Sequence, residues 1–211
     1  ANVCPPGEDT VVAGNPPFLG DHTRVPQQLA ELQAVWGESK VLSRMDYVTG
    51  WHARALQYFR AHNGLWGFVT TNSITQGDQA HRLFSEIFDA GWKIKYAHRT
   101  FAWTSEAAGG AAVHCVIVGF ARDLTAKPRL FEYPHWKKDP TERAVRVINA
   151  YLVDGANVLV GKRSTPLSPD MPEVDYGSKP SDGGNLIVTP DEYEAVAQDP
   201  IARRYLRPYV G

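Results

Sequence analysis

The stretch from Thr10 to Gly20 reads TVVAGNPPFLG, a β-branched start that runs straight into Asn-Pro-Pro-Phe. Neither proline offers a backbone N–H, each fixes its own φ, and each pushes the residue before it into an extended conformation. A strand has to end here, with Asn15 and Pro16 held extended at its carboxyl end and an aromatic ring, Phe18, close behind.

The chain that follows is organised as strand and helix in turn. QQLAELQAVWG and SRMDYVTGWHARALQYFRAH read as polar and amphipathic helical segments, the second stopping near His62-Asn63-Gly64. LWGFVTTNSI is an apolar run of strand length. Asp78 to Ala90 sets Leu83, Ile87 and Ala90 on one face beside Phe84 and Phe88 and stops at Gly91. WKIKYAHRTFAW then alternates with period two in its first part, while AAVHCVIVGFA is a continuous apolar run of the kind covered on both faces. The TSEAAGG between them is too short for a helical crossover, so the two strands are predicted to be antiparallel neighbours. The fold class expected is α/β, with a sheet that ends in an antiparallel pair.

From Asp123 the texture changes to many prolines, short strands such as NVLVG (157–161), the loop SPDMPEVDYGSKPSDGGN and a short helix, DEYEAVAQ. The expected organisation is therefore a first part over 1–122 and an irregular β-rich part over 123–211, with the boundary falling within 122–148.

Composition excludes several classes. A net charge of −1 leaves no global basic footprint, so any nucleic-acid contact must come from local patches. Lys137-Lys138, Arg143, Arg146, Lys162-Arg163, Arg203-Arg204 and Arg207 are candidates for phosphate contact, with solvated surface charge as the ordinary reading. The 7 histidines lack zinc-type spacing. His114 reads as a hydrogen-bonded strand residue and His52 and His81 as helix-surface residues, and no metal is assigned. Cys4 and Cys115 are far apart, and Cys115 reads as a buried core thiol, which suits a reducing cytoplasm. No apolar run is long enough to span a bilayer and the start carries no signal-peptide pattern, so secretion and membrane insertion are disfavoured.

The chemistry centres on the strand end. The Asn15 carboxamide oxygen and the Pro16 carbonyl are two rigidly placed acceptors, suited to a planar amino group with two N–H donors, and Phe18 offers a face for the ring that bears it. The exocyclic amine of adenine is a poor nucleophile because its lone pair is delocalised. Acceptors placed for a more tetrahedral nitrogen favour attack on a methyl sulfonium without a strong base.

NPPF resembles the Asp/Asn/Ser-Pro-Pro-Tyr/Phe signature of amino-group methyltransferases that use S-adenosylmethionine, chiefly the adenine-N6 DNA enzymes. The ordered series FVTTNSITQG, FAWTSEAAGGAAVHCVIVGF, INAYLVDG, SKPSDGGNLI and RRYLRPYVG extends the likeness over nearly the whole chain. It resembles the methyltransferase part of the MmeI-like type II restriction–modification polypeptides and related DNA methylases. This likeness implies the later half of a Rossmann-like, class I methyltransferase sheet with an antiparallel edge over 1–122, and a linker with the start of a DNA target-recognition segment over 123–211. It further implies catalytic roles for Asn15, Pro16, Pro17 and Phe18. The base, taken out of the duplex, would stack on Phe18 with a second wall from Phe101 or Trp103, Phe101 first. Asn72 and Ser73 would lie near the cofactor. The expected partner is double-stranded DNA in a bacterial cytoplasm, with no membrane.

One departure stands out. The Gly-rich cofactor turn precedes NPPF in that arrangement, and neither it nor the acidic residue for the cofactor ribose is found before Asn15. The chain is therefore expected to be a fragment, inactive alone, whose cut sheet edge favours a homodimer or swapped elements. Two rival readings stand beside it: a methyltransferase acting on RNA or on a protein amide, and a non-catalytic DNA-binding or assembly module.

Overall fold

In the computed structural model the described residues are 10–20, 23–37, 45–103, 113–135, 138–163, 165–166, 168–171 and 182–209. The TSEAAGG connection, Cys4, Lys137 and much of the loop at 168–185 lie outside them. The chain divides into two compact units, Ala1–Lys162 and Arg163–Gly211.

The first unit is built on a six-stranded sheet. In chain order it comprises β1 (Val11–Gly14), α1 (Pro26–Trp36), α2 (Thr49–Tyr58), β2 (Leu65–Thr71), α3 (Gly77–Asp89), β3 (Lys93–Trp103), β4 (Val113–Ala121), β5 (Arg129–Glu132) and β6 (Thr141–Ala144). The order across the sheet is β1-β2-β4-β3-β5-β6. β1 pairs parallel with β2, and β4 lies antiparallel between β2 and β3. β3 pairs parallel with β5, and β6 closes the sheet antiparallel to β5. The antiparallel neighbours expected from the TSEAAGG spacing are present, and they lie inside the sheet because β5 and β6, from beyond residue 122, continue it.

Local chemistry explains the helices. Pro26 occupies the first turn of α1, the Val25 N–H donates to Gln28 Oε1 at 2.9 Å, and Gly37 takes the left-handed φ of +79° that stops the helix. α3 buries Ala80, Leu83, Phe84 and Ile87 on one stripe, and Gly91 turns the chain out of it at φ +82°. α2 is shorter than the apolar pattern predicts, ending at Tyr58.

α2 and α3 cover the same face of the sheet. His52 of α2 meets Trp66, Phe68 and Phe120 edge-on, and Phe84 of α3 meets Phe120. Trp66 and Phe120 are cross-strand partners that stack at 4.2 Å, a contact worth about 0.5–1.5 kcal/mol beyond the area it buries. On the opposite face Gly67 and Gly119 are also cross-strand partners, and the Tyr96 ring lies over them. A Cβ on Gly119 would stand 2.1 Å from the Tyr96 ring.

Two expectations need correction. His52 is not on the helix surface: it is fully buried, with neither ring nitrogen partnered, and burial pushes its pKa down to about 3. The stripe of α2 that faces the sheet includes position 52, and helical polarity alone does not show this. The strand expected over 157–161 is absent; the described residues there form no ladder, and the nearest pairing is an isolated bridge between Ile148 and Asp154. The second unit contains a short helix, α4 (Tyr193–Gln198), within the segment expected to be helical.

Two predictions follow from this packing. Gly119→Ala should lower stability by about 1–3 kcal/mol through overpacking, and the loss should be smaller in a Tyr96→Ala background, as a denaturation double-mutant cycle would show. For His52, the unfolded chain takes up a proton below about pH 6.5 while the folded one resists until about pH 3. Stability should therefore fall on acidification by about 1.4 kcal/mol per pH unit in that window. His52→Leu should remove that slope in urea titrations at pH 7 and pH 5 and, by deleting two unpartnered nitrogens, be at least as stable as the parent at pH 7.

Candidate functional site

β1 is held by its pairing from Val11↔Leu65 to Gly14↔Phe68, and the ladder stops where the prolines begin. Pro16 is buried, Asn15 and Pro17 are exposed, and Phe18 is half-buried against the core. Asn15, Pro16 and Pro17 line a cleft of about 800 Å³ whose other wall includes Trp51, Arg54 and Tyr58 of α2. These three recur at helical spacing, so α2 turns one stripe to the cleft while His52 points into the core.

β1, β2, β3 and β5 all run in one direction, so their carboxyl ends share one edge of the sheet. That edge is where ligands bind to open α/β sheets. At the end of β2 the chain enters a 3-10 turn, Asn72–Thr75. There the Ser73 hydroxyl donates to the Asp46 carboxylate, joined by the Thr71 hydroxyl at 3.3 Å from the same oxygen. Thr71 and Ser73 are themselves 2.7 Å apart. Asn72 is half-buried, and its carbonyl accepts from the Thr75 hydroxyl at 2.8 Å.

Phe101 sits opposite Cys115, which in turn sits opposite Thr71. The ring of Phe101 stacks on Tyr133 at 5.2 Å, and Trp103 lies 6.3 Å away, 40% exposed. Tyr133 shares a hydrogen bond of 2.9 Å with Nδ1 of His98, and His98 stacks on Phe131 at 4.2 Å. Burial, aided by the Arg129 charge, lowers the His98 pKa. The structure thus places the residues expected at the site along one edge in three groups, with Asn72 and Ser73 at the end of β2. Asn15 to Phe18 end β1, while Phe101 and Trp103 end β3, three strand spacings of about 4.8 Å across the sheet.

Sequence reasoning missed Asp46, Tyr133 and the α2 stripe. Asp46 and Tyr133 act through partners 25 or more residues away, which no local spacing rule reveals. The stripe at 51, 54 and 58 was visible as a helical period, but nothing showed which side it would face. Among the described residues, no cluster of three His, Cys, Asp or Glu side chains is placed to hold a metal ion, and no helix is long and apolar enough to cross a membrane.

Cys115, central in this edge, is fully buried, and its thiol is pushed up to about 11 by burial. Peptide-level mass spectrometry after alkylation at pH 8 should find Cys115 unmodified in the folded protein and modified in denaturant.

Comparison with known proteins gives concordant matches. The family model described as "MmeI, DNA-methyltransferase domain" matches residues 1–132, and the one described as "MmeI, target recognition domain" matches residues 154–211. DNA methyltransferase A of Bacillus subtilis (strain 168) is 36% identical over 213 aligned residues, covering 99% of this chain and 23% of that protein. The solved structure of the Type IIL restriction-modification enzyme MmeI in complex with DNA superposes on 95% of this chain with a TM-score of 0.85 and 39% identity, covering 27% of its own chain. The chain thus spans about a quarter of the length of these relatives.

Proposed function

The chain belongs to the MmeI family of DNA methyltransferases, and on that footing we propose that it carries the target-amine site of an enzyme that methylates N6 of adenine in DNA within restriction–modification. The observation that carries this reading is the end of β1, where Asn15 and Pro16 line an open cleft at the carboxyl edge of the sheet. The exposed Asn15 carboxamide supplies one acceptor and the Pro16 carbonyl another. Pro17 fixes the direction of the Pro16 carbonyl by restricting Pro16 to an extended backbone. Two acceptors so held draw the amine hydrogens out of the ring plane and direct the nitrogen lone pair at an incoming methyl group. Phe18 takes the plane of the extruded base, and Phe101 with Trp103 forms an aromatic group farther along the same edge.

S-adenosylmethionine, the methyl donor that the family implies, is not matched by a full donor set among the described residues. Among the described residues no carboxylate lines the cleft beside Asn15, and the Ser73 hydroxyl donates to Asp46. Asn72 remains the nearer candidate for a cofactor contact. Residues 154–211 lead into recognition of a double-stranded DNA target, a reading supported by their family match. Arg203, Arg204 and Arg207 are exposed there beside Tyr205 and Tyr209, a basic and aromatic surface suited to phosphates.

The test is nucleoside mass spectrometry of DNA from cells expressing the full-length parent protein. N6-methyladenine should appear with Asn15 intact and vanish with Asn15→Ala. N4-methylcytosine in its place would mean that the amine was read correctly and the base wrongly. Methylated RNA or protein with unmodified DNA would move the substrate, and no methylation at all would favour a binding module.

A further inference from the structure

Asp46 plays no part in the chemistry above, yet it joins four elements at the catalytic edge. Asp46 is 8% exposed, and its carboxylate accepts from the Thr71 and Ser73 hydroxyls at the end of β2. Its N–H donates to Gln79 Oε1 of α3 at 3.0 Å. Its carbonyl accepts from the Thr49 hydroxyl at 2.7 Å and the Thr49 N–H at 2.9 Å, where α2 begins. The next residue, Tyr47, donates its N–H to the Leu19 carbonyl at 2.9 Å, one residue beyond Phe18. Arg24 adds a second tie by donating to the Met45 carbonyl at 2.7 Å. Gly20 lies beside this carboxylate: a Cβ there would stand 3.9 Å from Asp46 Oδ1, an ordinary contact distance.

The segment after Asn15–Phe18 has left the sheet ladder, so parallel pairing no longer fixes where it stands relative to β2. The bonds of Asp46 and of its neighbour Tyr47 supply that constraint. We propose that Asp46 is a positioning residue for methyl transfer, holding the acceptor segment Asn15–Phe18 in one arrangement against the Asn72–Thr75 turn. The proposal rests on the functional reading given above. Asp46 touches neither base nor methyl donor in this role; its carboxylate acts through Ser73 on one side, and on the other its neighbour Tyr47 ties the same segment to Leu19. Because positioning matters most where the geometry of attack is demanding, its loss should lower kcat and leave binding nearly intact.

Steady-state methylation by the full-length parent protein provides the test, comparing the parent with Asp46→Ala, Asp46→Asn, the double variant Thr71→Val/Ser73→Ala and Asn15→Ala. The expected result is at least a tenfold fall in kcat for Asp46→Ala, with KM for DNA within twofold of the parent. Asp46→Asn, which keeps one acceptor oxygen, should recover part of that loss, and the double variant should reproduce the defect with the carboxylate in place. Should Asp46→Ala fail to fold, the double variant decides. A kcat within twofold of the parent for Asp46→Ala and the double variant, or a change confined to KM, overturns the positioning role. An inactive parent, or an active Asn15→Ala, overturns the functional reading beneath it and is recognisable because the Asp46 variants are not involved.

Discussion

The architecture depends on β4, which runs against both of its neighbours. It exchanges ladder bonds with β2 from Thr71↔Cys115 to Leu65↔Ala121 and with β3 along its other edge. Two strands that each oppose a third must run parallel to one another, so the carboxyl ends of β2 and β3 finish on the same side. β1 and β5 inherit that direction by parallel pairing. A strand in this central place is covered on both faces, which is why VHCVIVGFA is apolar almost without a break and why its Phe120 and Gly119 are shaped to opposite neighbours.

The candidate site joins two kinds of order. At β1 the order is covalent: the prolines cannot extend the ladder, so the chain leaves the sheet with its acceptors already directed. At β2 the order is hydrogen-bonded, through Thr71, Ser73 and the buried Asp46 carboxylate. The first kind persists in any chain with these residues; the second exists only once α2, α3 and β2 have come together.

That difference also explains what could be read in advance. The end of β1 at Asn15, the stripe of α3, the antiparallel pairing of β3 with β4 and the burial of Cys115 follow from local steric rules and apolar pattern, and all are legible in the sequence. The burial of His52 was not, because its partners Trp66, Phe68 and Phe120 come from two other strands. β5 was hidden for a similar reason. It is only four residues long, and its place is set by pairing with β3 and by the His98 and Phe131 rings, not by a strong pattern of its own. NVLVG failed in the opposite sense: a run with high strand propensity met no partner edge, and propensity without pairing does not make a strand.

The ring of Tyr96 over Gly67 and Gly119 has an evolutionary consequence. Three positions on three strands form one interlocked unit, since the ring needs both bare backbones and the bare backbones need the ring to fill the hollow they leave. β-branched residues, which suit central strands best, are barred from two of these positions. A drifting lineage can leave this arrangement only through an intermediate with either a collision or a hole. Such a step is open only to ancestors with stability to spare, and the unit should therefore persist while the surface around it diverges.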